Sequence, residues 1–275
     1  MLNKPAGITS FDAVRKCRRI CHEKKIGHTG TLDPEASGLM IILLGRYTKM
    51  LPYCVKDHKS YHAAFSLGKM TETEDIWGST VAEKEYRDHD DEELAKIAEQ
   101  FTGRISQIPP MYSAIKVNGR KLYEYAREGK TVEREPREAY VSTLECHNLG
   151  NNVYSMDAVV SSGTYIRTLI TDFCKAMDEY GVMTSLIRNG IEDLKLEDAC
   201  TLDELEEEIR TVDPLTVLSK EYELVDIGRK KEILNGRAIE LEGHGSHVVF
   251  TDGSDILAAY AKRDDGLYHC ERGLL

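Results

Sequence analysis

The 275-residue sequence lacks a long apolar run. Although 41% of its residues are hydrophobic, no segment reaches the roughly eighteen consecutive apolar residues that a membrane-spanning helix needs. The first residues also lack the charged and then apolar pattern of a signal peptide. We therefore expect a cytoplasmic protein with no membrane partner, whose length suits one large domain and a smaller one.

Paired cysteine motifs are missing as well. The seven cysteines are scattered along the chain, and no two of them form a Cys-x-x-Cys pair. An odd number without regular spacing argues against a disulfide framework, so we predict reduced thiols that serve mainly as packing atoms. They are Cys17, Cys21, Cys54, Cys146, Cys174, Cys200 and Cys270.

The chain has no excess of positive charge, since its formal charge at pH 7 is −11. The charges are nevertheless segregated along the sequence. Residues 1–30 hold seven basic side chains against two acidic ones, and residues 104–137 hold eight against four. Residues 71–99 hold eleven acidic side chains against three basic ones, and residues 192–213 hold ten against two. Because phosphate contacts need local Lys and Arg, an RNA partner is compatible with this composition, and charged faces that contact only solvent are the alternative.

What the sequence does contain is a distinctive segment at residues 27–38, which read GHTGTLDPEASG. Three glycines, a proline and several hydroxyl side chains cannot form the interior of a helix or strand, so a shaped loop is predicted. The apolar residues 39–44 follow directly and are expected to enter the core. A carboxylate on such a loop is well placed to act on a bound substrate, which makes Asp33 the candidate nucleophile.

The residues after Thr9 predict a helix. Thr9 and Asp12 have the spacing of a capping box, which begins a helix over residues 10–21. The predicted apolar face consists of Phe11, Val14, Cys17 and Cys21. The other face carries Arg15, Arg18 and Arg19. The helix is thus expected to bury one side and to present guanidinium groups on the other.

Periodicity also predicts elements around two aromatic residues. Residues 61–67 alternate like a strand, with Tyr61 on the apolar side. Residues 153–160 predict a strand, residues 161–163 a turn, and residues 164–180 a helix that ends at Gly181. Tyr165 and Arg167 are then expected in the first helical turn. A cation there is unfavourable by up to about 1 kcal/mol unless an anion lies close. Asp33 is the natural partner, and an arginine that points at water is the alternative.

Several motifs together resemble those of one enzyme family. Residues 27–39 (GHTGTLDPEASGL) and residues 3–14 (NKPAGITSFDAV) look like signatures of the bacterial tRNA pseudouridine-55 synthases, the TruB-like enzymes. Further matches follow in family order at residues 59–61, 108–114, 121–127 and 163–167. A Gly/Thr/Asp/Pro loop alone arises for turn geometry, whereas separated matches in one order over residues 2–215 make the resemblance specific.

The resemblance implies an α+β fold with a mixed, mainly antiparallel sheet flanked by helices. It implies a catalytic domain over residues 1–218, with an RNA-facing insertion at about 104–137, and a small PUA-like RNA-binding module over residues 219–275. The insertion interleaves aromatic and basic side chains, which suits contact with RNA. In the tail, strands predicted at residues 246–250 and 256–261 indicate a mostly β module.

The implied activity is the isomerisation of uridine-55 in the T loop of tRNA to pseudouridine. The reaction breaks the bond between N1 and C1′ and rejoins the base through C5, without a redox change or an external reactant. Neither a cofactor nor a metal is therefore implied. By correspondence with the family, Asp33 is the nucleophile, attacking either C6 of the base or C1′ of the ribose. The expected partner is the T stem-loop of tRNA, and the protein is expected to be a monomer.

Other site residues follow from the same correspondence. Arg167 would pair with Asp33 and keep the carboxylate ionised, because an opposite charge within reach lowers its pKa. Tyr61 would stack on the target base after that base is flipped out of the RNA. His28 would occupy the space that the flipped nucleotide leaves, unless it only satisfies the backbone of its own loop.

Four further residues complete the predicted substrate-binding set. Tyr165 and Leu186 would line the pocket. Lys4 and Lys59 would contact phosphate or brace the active loop, with a solvated lysine as the alternative for each. The segment at residues 186–191, LIRNGI, departs from the family pattern at Asn189 and Gly190.

Three other functions are compatible with these observations. A tRNA-binding or tRNA-folding protein without catalysis would need the same basic surfaces. A metal-dependent hydrolase would use His22, His28 and Asp33, although their spacing fits no zinc template. A pseudouridine synthase that acts on another RNA would have the same site and a different substrate.

Overall fold

The computed structural model of this chain describes residues 1–55, 57–228 and 230–275. It divides into two compact units: the first consists of residues 1–56 and 193–275, and the second of residues 57–192. The predicted boundary near residue 218 lies within the first unit and stays a prediction. No helix in the described ranges is long and apolar enough to cross a membrane.

Strands and helices are mixed along the chain, as expected for the predicted α+β class. The strands are β1 (Leu2–Lys4), β2 (Ile26–His28), β3 (Ser37–Met40), β4 (Ile42–Leu44), β5 (His58–Leu67), β6 (Lys69–Thr71), β7 (Thr80–Glu83), β8 (Gly103–Gln107), β9 (Lys116–Val117), β10 (Arg120–Lys121), β11 (Arg137–Gly150), β12 (Val153–Ser161), β13 (Gly181–Ile191), β14 (Leu194–Lys195), β15 (Glu223–Asp226), β16 (His247–Asp252), β17 (Asp255–Lys262) and β18 (Tyr268–Gly273). The helices are α1 (Ser10–Ile20), α2 (Asp91–Gln100), α3 (Leu122–Arg127), α4 (Ile166–Ala176), α5 (Leu202–Glu207) and α6 (Lys231–Leu234), with 3₁₀ helices at Gly45–Tyr53, Leu196–Asp198 and Pro214–Val217.

In the first unit, the apolar run after the Asp33 loop forms two strands. β3 pairs antiparallel with β1, with Leu2 opposite Met40. β4 pairs antiparallel with β2, with Ile26 opposite Leu44. Leu39 and Met40 have no exposed surface, so the prediction that residues 39–44 enter the core is confirmed for these positions.

Helix α1 has the predicted capping box. The hydroxyl of Thr9 accepts from the N–H of Asp12, and the carboxylate of Asp12 accepts from the N–H of Thr9. Its buried face consists of Ser10, Ala13, Val14 and Cys17. The prediction for Phe11 was wrong, since 72% of its surface is exposed. The reason is that the hydroxyl of Ser10 bonds to the backbone of Leu32, which turns Ser10 inward and places Phe11 on the outer side with the arginines.

The tail of the chain forms a small sheet in the order β15-β16-β17-β18. The strands predicted at residues 246–250 and 256–261 correspond to β16 and β17. Phe250, Tyr260 and Tyr268 are fully buried between this sheet and its helix α6. The tail also contacts the front of the chain within the first unit: Arg46 pairs with Asp255 at 2.9 Å.

The second unit is built on an antiparallel sheet in the order β13-β5-β12-β11-β8. The alternation predicted for β5 is confirmed, because Tyr61, Ala63, Phe65 and Leu67 are the buried positions of that strand. The ring of Phe65 stacks on that of Tyr154 with centroids 5.2 Å apart, which links β5 to β12 in the core.

Helix α4 is shorter than predicted. It runs from Ile166 to Ala176, and Tyr165 is its N-cap, so only Arg167 lies in the first turn. The chain leaves the helix through Asp178, whose φ is 55°. Gly181 is the first residue of β13 and does not end the helix. A Cβ at Gly181 would lie 2.1 Å from the Sγ of Cys174, so close packing of strand and helix, and not capping, requires glycine there.

We expect Gly181→Ala to lower the free energy of unfolding by about 1–3 kcal/mol, because the added methyl overlaps Cys174 in a packed core. The measurement is urea unfolding followed by circular dichroism. Cys174→Ala in the same background should restore part of the loss, since it removes the sulfur. Gly273→Ala is the control, because an added Cβ meets open space there in the described structure. Equal losses at both glycines would contradict this explanation.

Candidate active site

The predicted site residues are divided between the two units. The first unit holds Asp33, His28 and Lys4, and the second holds Tyr61, Arg167, Tyr165, Leu186 and Lys59.

In the first unit, the loop that carries Asp33 is held on both sides of that residue. The hydroxyl of Ser10 accepts from the backbone N–H of Leu32 at 2.8 Å and donates to its carbonyl at 2.9 Å. The N–H of Gly7 donates to the carbonyl of Pro34 at 3.0 Å. Leu32 is buried, whereas Asp33 is half-buried. The backbone of Asp33 therefore has a defined position, as a reacting carboxylate requires.

Lys4 is completely buried next to this loop. Its ammonium donates to the carbonyls of Pro5 at 2.8 Å, Ile8 at 2.7 Å and Pro34 at 3.0 Å. An ammonium has three donors, and here each finds a backbone acceptor. Of the predicted alternatives, the geometry supports the role of bracing the loop beside Asp33. A contact between Lys4 and substrate stays a prediction.

His28 is the last residue of β2 and is half-buried. The strand pairing continues beyond it, since the N–H of Thr29 donates to the carbonyl of Ile41 at 3.2 Å. The metal alternative combined His28 with His22 and Asp33. In residues 1–55, 57–228 and 230–275, no three histidine, cysteine or acidic side chains are placed to hold a metal ion together.

In the second unit, Arg167 is buried in the first turn of α4, with 4% of its surface exposed. Its guanidinium donates through Nη1 to the carbonyl of Thr73 at 2.6 Å and through Nη2 to the carbonyl of Tyr112 at 3.0 Å. These acceptors lie 94 and 55 residues away in sequence. The orientation of the arginine is thus set by loops that local sequence reasoning did not connect with it.

An anion that the sequence analysis missed lies close to the start of α4. The carboxylate of Glu74 accepts from the hydroxyl of Thr168 at 2.7 Å. Burial raises the pKa of Glu74, while the Thr168 hydrogen bond and the charge of Arg167 act in the opposite direction. Glu74 therefore places a second carboxyl group near this helix start, where the sequence analysis considered Asp33 alone.

Tyr165 is held by a second missed residue, Gln107. The side-chain amide of Gln107 donates to the carbonyl of Tyr165 at 3.2 Å, and its oxygen accepts from the N–H of Tyr165 at 3.1 Å. Gln107 is 3% exposed at the end of β8. The signal available in the sequence was the position of Gln107 directly before the family-like segment at residues 108–114, but its partner depends on the tertiary fold.

Tyr61 and Leu186 lie on the neighbouring strands β5 and β13. Tyr61 is opposite Arg188, and Leu186 is opposite Ala63. Since alternate residues of a strand share a face, Tyr61 and Ala63 point to the same side of the sheet. Arg188 is almost completely buried, at 1% exposure, and was not among the predicted site residues. The second unit thus brings Tyr61, Leu186 and a buried guanidinium side by side.

Lys59 is the second residue of β5, two positions before Tyr61. Its ammonium donates to the hydroxyl of Ser162 at 2.9 Å. Burial, and then the positive charge of Arg188, lower the pKa of Lys59 from 10.5 to about 8. A lysine in this environment loses its charge more readily than one in water.

The lowered pKa of Lys59 predicts a pH-dependent stability. Between pH 8 and 10.5 the unfolded chain binds more protons at this lysine than the folded chain, so folding becomes more favourable as the pH rises through that window. The unfolding free energy of the wild type should therefore increase relative to that of Lys59→Met from pH 8 to 10.5. Urea unfolding at several pH values measures this difference. Lys96→Met, which removes an exposed lysine, is the control. A constant difference for Lys59→Met would contradict the assignment.

None of the seven cysteines, all of which lie in the described residues, forms a disulfide bond, and five of them are buried. Burial raises the pKa of Cys17 to about 11 and that of Cys146 to about 12. Thiols with such pKa values are poor nucleophiles at neutral pH. These two cysteines therefore behave as packing groups.

Comparison with known proteins adds family information to this geometry. Residues 18–166 match the family model described as TruB family pseudouridylate synthase, N-terminal domain. The tRNA pseudouridine synthase B of Oceanobacillus iheyensis is 39% identical over 272 residues, which cover 94% of this chain and 90% of that protein. The tRNA pseudouridine synthase B of Bacillus pumilus is 44% identical over 211 residues, covering 74% of this chain and 68% of that protein.

Solved structures with the same fold support the α+β prediction. A chain described in "Crystal Structure of a Cbf5-Nop10-Gar1 Complex" aligns with a TM-score of 0.71 at 21% identity, over all of this chain and 84% of that chain. A chain described in "Structure of H/ACA RNP bound to a substrate RNA containing 2'-deoxyuridine" aligns with a TM-score of 0.70 at 19% identity, over all of this chain and 84% of that chain. At this identity the likeness concerns the fold, and it confirms the predicted fold class.

Proposed function

This chain belongs to the TruB family of pseudouridylate synthases, and we propose that it converts uridine-55 in the T loop of tRNA to pseudouridine with Asp33 as the nucleophile. The observation that carries the proposal is the loop at residues 27–38. It has the family motif, and hydrogen bonds to Leu32 and Pro34 hold it on both sides of a half-buried carboxylate. Relatives named tRNA pseudouridine synthase B support tRNA as the substrate.

The reaction requires one nucleophile and no external reactant. The carboxylate of Asp33 adds to C6 of the uracil or to C1′ of the ribose, and the bond between N1 and C1′ breaks. The base then turns and C5 bonds to C1′. The proton on C5 leaves, N1 takes up a proton in place of its bond to C1′, and the carboxylate is released unchanged. The fixed backbone on both sides of Asp33 supports this role, since it limits how far the carboxylate must reorganise.

Arg167 and Tyr61 are proposed to assist Asp33. Arg167 would keep the carboxylate ionised and oriented, as an opposite charge does at short range. Its fixed guanidinium, held by two backbone carbonyls, supports a positioning role. Tyr61 would stack on the flipped base, with Leu186 and Tyr165 beside it. Such stacking offsets the unstacking of a base by about 1–3 kcal/mol.

Recognition of the RNA is proposed to use the exposed side of α1 and the insertion at residues 104–137. Arg15, Arg18 and Arg19 are exposed on α1. In the insertion, the guanidinium of Arg120 lies 4.6 Å from the ring centroid of Tyr125, which combines charge and aromatic surface. The T stem-loop as partner, the monomeric state, the RNA-binding module at residues 219–275 and the cytoplasmic location belong to the same proposal.

We expect Asp33→Asn to abolish isomerisation, because an amide cannot act as the nucleophile, while RNA affinity and fold stay close to wild type. Tritium release from C5-labelled uridine in a T-arm transcript measures the activity, and filter binding measures the affinity. Glu35→Gln, two residues away on the same loop, is the control and should remain active. A transcript with cytidine at position 55 should release no tritium.

Residual turnover near the wild-type rate in Asp33→Asn would contradict the nucleophile assignment. Binding without turnover in the wild type would favour a non-catalytic tRNA-binding protein. Turnover that is unaffected by the change at position 55 would indicate another site or another RNA.

The exposed arginines of α1 predict a strong salt dependence of RNA binding. Arg18→Gln with Arg19→Gln should weaken binding and reduce the magnitude of the slope of log K against log salt by about one for each phosphate that the variant no longer neutralises. Filter binding over a range of salt concentrations gives the slope. Lys96→Gln, on the acidic helix α2, is the control. An unchanged slope in the arginine variant would exclude α1 from the RNA surface.

A further inference from the structure

The turn at residues 72–79 of the second unit, called here the Trp77 loop, exposes two apolar side chains. It connects β6 to β7, and Ile76 is 44% and Trp77 51% exposed. Trp77 is the single tryptophan of the sequence. Exposed apolar residues are common on protein surfaces, so exposure alone assigns no role. The hydrogen bonds within this loop and its neighbours in the second unit indicate a role for Trp77.

The Trp77 loop is held rigidly by hydrogen bonds. The carboxylate of Asp75 accepts from the hydroxyl of Thr73 at 2.6 Å and from the N–H of Trp77 at 3.2 Å. The N–H of Ile76 donates to the carbonyl of Met183 in β13 at 2.8 Å. The backbone of Ile76, next to Trp77, is thus hydrogen-bonded to the main sheet of the second unit. An aromatic side chain on such a backbone loses little freedom when a ligand stacks on it.

Two backbone features show that the loop conformation is specifically maintained. Glu74 has a φ of 64°, a left-handed conformation that is uncommon for non-glycine residues. Its carboxylate is held by Thr168. A Cβ at Gly78 would lie 2.1 Å from the hydroxyl of Thr73, so only glycine allows the loop to close this tightly.

The same loop contacts both parts of the second unit that are proposed to meet RNA. The carbonyl of Thr73 accepts from Arg167, the arginine assigned to the reaction. The carboxylate of Glu72 accepts from the hydroxyl of Tyr112, within the insertion at residues 104–137, at 3.3 Å. The Trp77 loop is therefore hydrogen-bonded to Arg167 through Thr73 and to the insertion through Glu72.

Charge distinguishes the kind of contact that this loop can make. The carboxylates of Glu72 and Asp75 would repel phosphate groups. They accept hydrogen bonds from the hydroxyls of Ser79 and Thr73 in the same loop. A neutral nucleobase has no such repulsion, and every base has a face on which an indole can stack. The surface therefore suits an unpaired base better than a sugar-phosphate backbone.

We propose that Trp77 stacks on an unpaired nucleobase of the RNA substrate and so helps to position the RNA loop beside the reacting uridine. This inference rests on the proposed function, which supplies the RNA. The occupant is a base of the substrate loop other than the flipped uridine, which is assigned to Tyr61. Trp77 binds and positions the RNA and takes no part in bond breaking.

Because the sequence has one tryptophan, its fluorescence reports directly on this contact. The wild-type protein is titrated with a T-arm transcript, and separately with a fully paired RNA duplex of equal length. Quenching by the transcript that greatly exceeds quenching by the duplex is expected, because only the transcript offers unpaired bases. Equal quenching by both RNAs, or none, would overturn the proposal.

Affinity measurements on variants test the same contact independently. Trp77→Leu, which keeps an apolar side chain without an aromatic face, should bind the transcript about 5- to 100-fold more weakly, whereas Trp77→Phe should retain most of the affinity. The slope of log K against log salt should stay unchanged in both variants, because no cation is removed. Val81→Ala is the control, since Val81 is 59% exposed on β7 of the same hairpin.

The outcomes separate this inference from the proposed function. The stacking proposal would be overturned if Trp77→Leu kept full affinity or if the Leu and Phe variants lost affinity equally. In that case, tritium release by the wild type would still support the proposed function. Conversely, a wild type that forms no pseudouridine but loses RNA affinity on Trp77→Leu would leave the stacking contact supported and the proposed function refuted. Unfolding curves of the variants confirm that each is folded.

Discussion

A buried positive charge determines the shape of the loop that carries Asp33. An ammonium removed from water is strongly unfavourable unless its donors find acceptors, and Lys4 satisfies this requirement with three backbone carbonyls. One of them belongs to Pro34, directly after Asp33. Because the Ser10 hydroxyl holds Leu32 on the other side, the loop has little freedom around its carboxylate. The chemistry proposed for Asp33 depends on this constraint.

In the second unit, a buried guanidinium is likewise held by backbone carbonyls. Arg167 is buried, and backbone carbonyls from two distant segments accept its hydrogen bonds. Gln107 fixes the adjacent Tyr165 by a pair of hydrogen bonds. One of the carbonyls that orient Arg167 belongs to the loop that displays Trp77. The turn that displays Trp77 therefore also contributes to the orientation of Arg167, which links the proposed reaction to the proposed RNA contact.

Where sequence patterns were decided by local forces, the predictions held. The capping box at Thr9 and the alternation around Tyr61 are both present, because capping and strand pleat depend on residues a few positions apart. The predictions for Phe11 and Gly181 were wrong. The inward turn of Ser10 toward Leu32 places Phe11 outside, and the contact with Cys174 explains the glycine at the start of β13. Both depend on partners that are close in space and not adjacent in sequence.

The sequence by itself determined the family, the position of the candidate nucleophile and the helix and strands next to it, since motifs, caps and periodicity are written in neighbouring residues. Only the tertiary structure decided what holds those residues in place. The partners of Lys4, Arg167 and Tyr165, and the role of Glu74, come from segments up to 94 residues apart. Hydrogen-bond acceptors for a buried polar group are chosen by the packing of whole elements, and no local pattern specifies which carbonyl that packing will bring within reach.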